Sequence, residues 1–351
     1  MTLTIEELTT GTDHERVLLC RDPQAGYRCV IAVHSTAAGP AVGGTRLWTY
    51  ATEEEAVTDA LRLSRGMTYK CAMAGLPLGG GKSVILRDGN LTDREALFRA
   101  HGRVIESFGG GYMTGEDVGT SPTDMAIVRR ETKHVLGVTE DPSPYTARGV
   151  FRAMSAAALH RWGSDDLAGR TVAIQGCGSV GFHLARELRA AGARLVVSDV
   201  DPGRVRRTVE ASGARAVPPE EIFDAEADIF APCALGGILN AETIPRLRVE
   251  IVAGAANNQL LEEADGELLQ ARGILYAPDY VANAGGVIFG CQELLGWSAE
   301  TVRMRIEGLH GAVLDVFRLA EKQEIPPHAA ADRLAERRLA SLAHSKRAFM
   351  S

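Results

Sequence analysis

Between Thr171 and Asp199 the chain spells a strand, a glycine turn, a helix, a second strand and an acid. Thr171-Val172-Ala173-Ile174-Gln175 is an apolar run suited to a buried strand. Gly176-Cys177-Gly178-Ser179-Val180-Gly181 follows at once, a GxGxxG turn. Val180, Leu184, Leu188 and Ala191 then recur at spacings of four, four and three, which is a helical stripe. Gly192 stops that helix, and Leu195-Val196-Val197 begins a strand that ends at Asp199. Further strand candidates lie at 228–231, 251–253 and 274–277, with helical stretches between them. Strand alternating with helix predicts a parallel sheet covered on both faces.

Glycine is common in this chain, 38 of 351 residues, so the GxGxxG pattern means little without its surroundings. Here a strand precedes it, a helix follows, and Asp199 lies 18 residues after Gly181. The dinucleotide-binding fingerprint has its acid at about 20. Such glycines let the backbone approach a pyrophosphate at the positive end of a helix. Gly176, Gly178, Ser179, Val180 and Gly181 are therefore candidate cofactor residues, and Asp199 the acceptor for the adenosine ribose hydroxyls. A 2′-phosphate would meet a like charge there, so the expected cofactor is NAD rather than NADP. Arg204, Arg206 and Arg207 weaken that preference. Cys177 is expected to be structural, because the backbone does the phosphate work and nothing visible lowers its pKa.

The first half mixes strands and helices. Residues 16–20 and 27–34 read as neighbouring strands with Gly26 in the turn. Residues 53–65 read as a helix, with Thr52 as N-cap and Glu55 completing a capping box. Residues 82–86 form a strand, 93–108 a helix, and Ser121-Pro122 starts another helix. Asp141-Pro142-Ser143-Pro144 is expected to be non-helical, since each Pro biases its predecessor away from the α region. The expected organisation is residues 1–140, a dinucleotide-binding Rossmann domain at 141–325, and a helical segment at 326–351 returning to the first domain.

Composition excludes several classes. Lys plus Arg number 38 against 45 for Asp plus Glu, a net charge of −7 that disfavours nucleic acid and anionic membrane as partners. The basic residues Arg337, Arg338, Lys346 and Arg347 read as a solvated helix face. No stretch approaches the roughly 18 apolar residues of a membrane helix. Six scattered cysteines without a CxxC pair, and no secretory pattern at residues 1–10, lead us to expect a cytoplasmic protein with free thiols. Nine histidines show no ligand spacing, so no metal is expected.

Arg65 to Lys70 ends the first helix, and Gly79-Gly80-Gly81-Lys82 follows. Three glycines before a lysine leave room for something to approach. This is not a phosphate-binding GxxxxGK[ST] loop, because Leu76 stands where a glycine is required. A lysine buried in an apolar pocket can act as a base, and a second lysine can pair with a substrate carboxylate. Thr114-Gly115-Glu116-Asp117-Val118-Gly119 adds a carboxylate on a glycine-flanked loop. On spacing alone, Lys70 and Lys82 as solvated surface charges remain an equal reading.

Taken together these segments are recognisable. From about residue 15 to about 345 the chain resembles the amino acid dehydrogenase family that includes glutamate, leucine, valine, phenylalanine and tryptophan dehydrogenases. The carriers are Gly39-Pro40-Ala41-Val42-Gly43-Gly44-Thr45-Arg46, Arg65 to Lys70, Leu78 to Ser83, Gly115 to Gly119, Ala231-Pro232-Cys233-Ala234-Leu235-Gly236, Ala255-Ala256-Asn257-Asn258-Gln259 and Pro278 to Gly286. The resemblance implies an α/β protein of two domains, a catalytic one and a Rossmann one, with the active site in the cleft between them. It implies that Lys70 grips the substrate α-carboxylate, with Gly43 and Gly44 beside it. Lys82 would be the catalytic lysine, activating water and stabilising a carbinolamine. Asp117 would shuttle a proton to and from the substrate nitrogen. Thr146, Asn258 and Asn283 would lie near the nicotinamide, its ribose and the substrate, and Ala231, Pro232 and Cys233 along the cofactor. Members form homo-oligomers, so one is expected here. The reaction implied is NAD-dependent oxidative deamination of an L-amino acid to a 2-oxo acid and ammonia.

Glutamate-specific members look to carry a lysine where this chain has Val42, and an unpaired γ-carboxylate there would cost several kcal/mol. The side-chain pocket is therefore expected to be apolar, built from Val42, Met67, Gly115, Val287 and Gly290. Leucine-type members have Ala and Val where Gly115 and Gly290 stand, so both glycines enlarge the pocket. Leu294-Leu295-Gly296-Trp297 also resembles a phenylalanine dehydrogenase, whereas Val287 is the leucine-type residue. The expectation is an aromatic or large aliphatic L-amino acid, phenylalanine slightly favoured over leucine, with valine and tryptophan as further alternatives. The linker at 137–144 is shorter than in many relatives. Two other classes compete. A 2-hydroxy acid dehydrogenase would need a catalytic His, and none lies in the matched segments. A catalytically silent dinucleotide sensor would not need Lys70, Lys82 and Asp117 together.

Overall fold

The computed structural model describes residues 3–87, 89, 93–136 and 141–350, with backbone alone for 343–350. The expected linker at 137–140 lies outside these residues. The chain divides into two compact units, one of residues 1–140 and 335–351, the other of 141–334.

The first unit holds, among the described residues, a seven-stranded mixed sheet. Its elements are β1 (Thr4–Glu7), β2 (Arg16–Asp22), β3 (Tyr27–Ser35), β4 (Ala41–Val42), β5 (Thr45–Trp48), α1 (Glu53–Met73), β6 (Gly79–Leu86), α2 (Arg94–Glu106), β7 (Tyr112–Met113) and α3 (Pro122–Val128). The strand order is β1-β2-β3-β6-β4-β7, with β5 also pairing β6. β1, β2, β3 and β6 pair antiparallel, while β4 and β5 join β6 in parallel. Strand alternation sorts the side chains to two faces. Val17, Leu19, Val30, Ala32 and Val84 pack against Ala56 and Ala60 of α1. Leu18, Cys20, Cys29, Ile31 and Ile85 pack against Leu97, Phe98 and Val104 of α2 and Met125 of α3. Apolar residues at every strand position are the sequence mark of a sheet covered twice.

Helix ends follow the local chemistry. Thr52 accepts the Glu55 amide, and the Glu55 carboxylate reaches the Ala51 amide. Ser121 and Asp124 form a reciprocal capping box with Pro122 in the first turn. α1 runs about two turns beyond the expected 53–65, to Met73, because Gly66 is tolerated inside a helix that buries Thr68, Tyr69 and Cys71.

The second unit contains α4 (Ser143–Trp162), β8 (Thr171–Gln175), α5 (Ser179–Ala190), β9 (Arg194–Ser198), α6 (Pro202–Ser212), β10 (Arg215–Ala216), β11 (Ile229–Pro232), β12 (Ile251–Val252), α7 (Glu263–Ala271), β13 (Leu275–Tyr276), α8 (Asp279–Ala282), α9 (Gly285–Leu295), α10 (Ala299–Glu307) and α11 (Leu309–Gln323). Its six strands are all parallel, in the order β10-β9-β8-β11-β12-β13. This is a Rossmann-like sheet. One expectation is corrected: Asp141-Pro142-Ser143-Pro144 is not wholly irregular, for α4 begins at Ser143. Pro144 sits in its first turn, where an amide has no intrahelical acceptor to lose. The last helix, α12 (Pro327–Met350), belongs to both units, which part at residue 335.

All six cysteines are free thiols. Among the described residues no helix is long and apolar enough to cross a membrane, and no group of three His, Cys, Asp or Glu could hold a metal ion.

Candidate active site

In the first unit, β6 carries Lys82 and the loop after β7 carries Asp117. Their side chains meet, Nζ to Oδ2, at 2.8 Å, and are 6% and 15% exposed. The backbone is crowded here, which explains the glycines. A Cβ on Gly43 would run into the Gly81 carbonyl oxygen, and one on Gly44 would lie 2.8 Å from Asp117 Cβ. The carbonyl of Gly44 accepts the Ser83 amide, and Thr45 bridges to Glu116, so the Asp117 loop is tied directly to the strand beside Lys82. Thr120 Oγ accepts the Asp117 amide and donates to the Thr45 carbonyl.

Lys82 is buried, yet its ammonium faces a carboxylate instead of the apolar pocket expected. Burial alone would raise the Asp117 carboxyl. The Lys82 ammonium and the Arg46 guanidinium outweigh it and hold the group down at about 2. Arg46 has no role in the sequence reading, where it only ends the Gly39–Arg46 segment. Its Nε donates to Asp117 Oδ2 at 3.1 Å, and its Nη1 to Asp59 Oδ2 at 2.9 Å. Asp59 and Tyr50, which bond to each other at 2.5 Å, were likewise missed. The available signal is the charge of Arg46 two residues past Gly44, between Thr45 and Leu47, which are both buried.

The remaining expected residues of this unit lie on β4, on α1 and on the loop after β7. Val42 is buried in β4, and Met67 Cγ lies 3.4 Å from where a Gly43 Cβ would be. Lys70 is half-buried in the last turn of α1. Gly115 has only Leu136 near its Cβ position, at 3.4 Å.

In the second unit, Gly176 adopts φ 103°, and a Cβ on Gly181 would strike the Gly176 carbonyl oxygen. The turn therefore needs both glycines. At Gly178 a Cβ would meet nothing within 4 Å. α5 starts there without a side-chain cap. Open space before uncapped amides fits a pyrophosphate. Ser179 donates to Asp141, while Val180 is half-buried. Asp199 Oδ2 accepts the Cys177 amide at 2.7 Å, and Oδ1 the Asp201 amide at 2.9 Å. The Cys177 amide is thus spent on Asp199, and burial pushes its thiol up.

Thr146 and Asn283 come together on the rim of Gly285 and Gly286, whose Cβ atoms would press on Tyr145 and Thr146. Asn283 is 5% exposed, and its amide donates to the Ala255 carbonyl and to Asn257 Oδ1. Its own Oδ1 is buried with no hydrogen-bond partner. A buried acceptor left open is suited to a ligand donor. Asn257 was not singled out in the sequence. Asn258 holds φ 52°, and its carbonyl accepts the Gly237 amide, joining it to the segment after Ala231, Pro232 and Cys233. Ala231 is fully buried, the Pro232 carbonyl accepts the Ala256 amide, and the Cys233 amide donates to Gln175. Val287 and Gly290 lie one turn apart on α9, and a Cβ at Gly290 would meet nothing within 4 Å.

A Rossmann-like parallel sheet in one unit, and a buried lysine–carboxylate pair in the other, define a two-domain α/β oxidoreductase. The model of the Glu/Leu/Phe/Val dehydrogenase dimerisation domain matches residues 14–134. That of Glutamate/Leucine/Phenylalanine/Valine dehydrogenase matches residues 201–347. The chain is 49% identical over 344 residues to leucine dehydrogenase of Thermoactinomyces intermedius, covering 96% of this chain and 94% of that one. It is 43% identical to phenylalanine dehydrogenase of Caldalkalibacillus thermarum, covering 96% and 94%. The crystal structure of L-tryptophan dehydrogenase from Nostoc punctiforme superposes with a TM-score of 0.84 at 44% identity, covering 95% and 97%. The chain belongs to the Glu/Leu/Phe/Val dehydrogenase family and is an amino acid dehydrogenase, an oxidoreductase acting on CH–NH2 donors.

Proposed function

We propose that this protein catalyses the reversible, NAD-dependent oxidative deamination of a large apolar L-amino acid. The products are a 2-oxo acid and ammonium. The observation that carries the proposal is the buried Lys82–Asp117 pair, 2.8 Å apart.

NAD would be held by the turn at Gly176, Gly178, Ser179, Val180 and Gly181, by Asp199, by Thr146, Asn258 and Asn283, and by Ala231 to Cys233. Bound there, it accepts the hydride that leaves the substrate α-carbon. Lys70 holds the α-carboxylate by its ammonium, with Gly43 and Gly44 beside it letting the Lys82 strand and the Asp117 loop pack close together. Asp117 takes a proton from the substrate nitrogen. Loss of hydride leaves an iminium ion, and Lys82 Nζ takes the proton released by the water that attacks its carbon to form the carbinolamine. Asp117 returns a proton to the nitrogen as ammonia leaves the carbinolamine. Each of these roles needs a group fixed beforehand, which burial and ion pairing supply.

For the side chain, Val42, Met67, Gly115, Val287 and Gly290 are the proposed lining. The open Cβ position at Gly290 supports phenylalanine slightly ahead of leucine, whereas a Cβ at Gly115 would meet the Leu136 carbonyl at 3.4 Å. The leucine dehydrogenases among the relatives pull the other way. A homo-oligomer is proposed from the dimerisation-domain match, and a reducing, cytoplasmic setting from the six free thiols.

The test is NADH production at alkaline pH with L-Phe, L-Trp, L-Leu, L-Val and L-Glu, run with wild type and Lys82→Ala. Turnover of Phe or Leu, abolished in the variant while NAD still binds, is the expected result. Phe or Trp in the lead supports the enlarged pocket. Valine ahead of phenylalanine overturns it and leaves the class intact. No turnover of any amino acid would make the chain a dinucleotide sensor.

A further inference from the structure

Lys82 and Arg46 lie on adjacent parallel strands and point the same way. Arg46 of β5 is in register with Val84 of β6, and Val84 shares its face with Lys82, two residues before it. That face meets α1, which supplies Asp59. The result is a balanced set of four charges, with side-chain exposure of 6% for Lys82, 15% for Asp117, 18% for Arg46 and 13% for Asp59. A charge so far removed from water is costly unless it is paired. Arg46 could satisfy that need with Asp59 alone. Instead it spreads its fork, with Nη1 on Asp59 Oδ2 and Nε on Asp117 Oδ2.

The brace behind Arg46 is itself fixed. Tyr50 donates its hydroxyl to the same Asp59 oxygen at 2.5 Å, and the exposed Arg62 touches the other at 3.4 Å. Both cations thus fall on one oxygen of Asp117. Lys82 Nζ takes Oδ2 at 2.8 Å and Arg46 Nε takes it at 3.1 Å. Oδ1 has no partner among the described residues. The other groups around the carboxylate are few. Tyr112 of β7 lies beneath it, its hydroxyl on the Gly43 carbonyl and the Ser83 hydroxyl. Glu116 of the same loop is exposed.

We propose that Arg46, braced by Asp59 and Tyr50, is a positioning residue for Asp117. It locks Oδ2 so that Oδ1 is the oxygen that exchanges a proton with the substrate nitrogen. The inference rests on the proton-shuttle reading of Asp117 given above. It adds that the shuttle is asymmetric, and that its aim is set from the strand beside Lys82. It also divides the labour of the two cations. Lys82 leaves the carboxylate whenever it turns to water, and Arg46, tied behind, keeps one opposite charge on Asp117 throughout.

The test uses Arg46→Gln, Arg46→Lys and Asp59→Asn in the full-length protein, with the best amino acid of the panel as substrate. In wild type the Asp117 carboxylate stays ionised across the working range, so it contributes no acid limb to kcat/KM. Arg46→Gln removes one of its two cations, and burial then favours the protonated form. An acid limb should appear or move up by about one pH unit or more, with kcat down about 10- to 100-fold. Arg46→Lys restores the charge and should return the limb. Its single ammonium cannot span both carboxylates, so kcat should stay depressed. Asp59→Asn should lower kcat without creating the limb. An equal fall in kcat at every pH in Arg46→Gln would mean a merely structural role and overturn the proposal. A second readout needs no turnover: carbon-13 titration of the Asp117 carboxyl, assigned with Asp117→Asn. Titration in Arg46→Gln no higher than in wild type would overturn the inference whatever the activity. A raised titration in a protein that turns over no amino acid would sink the proton-shuttle reading and leave the clamp itself standing.

Discussion

Asp199 is a strut in the structure, and in the proposed reading it also meets the cofactor ribose. Its two oxygens are anchored by the amides of Cys177 and Asp201, which fixes the carboxylate at the end of β9. Two of the three nearby arginines are already engaged: Arg204 with Asp201 at 3.5 Å, and Arg207 over the Phe182 ring at 4.2 Å. A 2′-phosphate would therefore meet an immovable negative charge, with less compensation than the local count of arginines suggests. Asp199→Asn keeps one acceptor for the backbone and removes the charge. NAD should bind less tightly, and the preference for NAD over NADP should fall by about tenfold, roughly 1.4 kcal/mol. Titration calorimetry with both nucleotides measures it. An unchanged ratio would place the ribose contact elsewhere.

At the scale of elements, α2 is pinned to the sheet by a histidine inside the core. His101 is fully buried between the Tyr27 hydroxyl of β3 at 2.9 Å and the Thr45 hydroxyl of β5 at 2.8 Å. Burial holds its pKa down at about 3, so it is neutral in the folded protein. The unfolded chain binds a proton below about 6.5, while the folded one does not until about 3. Stability from this group is complete above that upper value and is lost as pH falls through the window, by about 1.4 kcal/mol per unit. His101→Gln should flatten the slope of urea stability between pH 7 and 5. An unaltered slope would show that the histidine is not the group being titrated.

The same residue shows what a sequence can and cannot say. α2 is legible from its own periodicity, and α5 from the turn before it, because those signals are local. His101 carries no local signal, since its partners lie 74 and 56 residues away. Arg46 was passed over for the same reason, with Asp59 13 residues on and Asp117 71. Lys82 and Asp117 stand out as candidates from their glycine-rich segments, but only the family resemblance gives them roles. β4 and β7, two residues each, have too little length to show any period.

At the scale of the molecule, the first unit is not a continuous piece of chain. It recovers residues 335–351 after the second unit is complete. α12 makes the join. Asp332, in its first half, accepts the Tyr280 hydroxyl of α8 at 2.7 Å. Glu336, one turn on, accepts the Tyr69 hydroxyl of α1 at 2.9 Å. Arg338 then donates to the carbonyls of Ala72 and Met73 at 3.2 and 2.7 Å. The Ala72 carbonyl also accepts the Gly75 amide, while the Met73 carbonyl lies past the reach of its own helix's amides. A cation is also the favourable charge at that end. Arg338 thus finishes a helix begun nearly 300 residues earlier, three residues past Lys70. Arg338→Ala should cost about 1–2 kcal/mol and lower the melting temperature. It should speed hydrogen exchange at the amides of Ala74, Gly75 and Leu76, which bond back into this last turn. A loosened turn carries Lys70 with it, so KM for the amino acid should rise several-fold while NAD affinity holds. Exchange unchanged at those three amides would mean that α1 ends without help from α12, and the returning helix would then have to be explained by its apolar face alone.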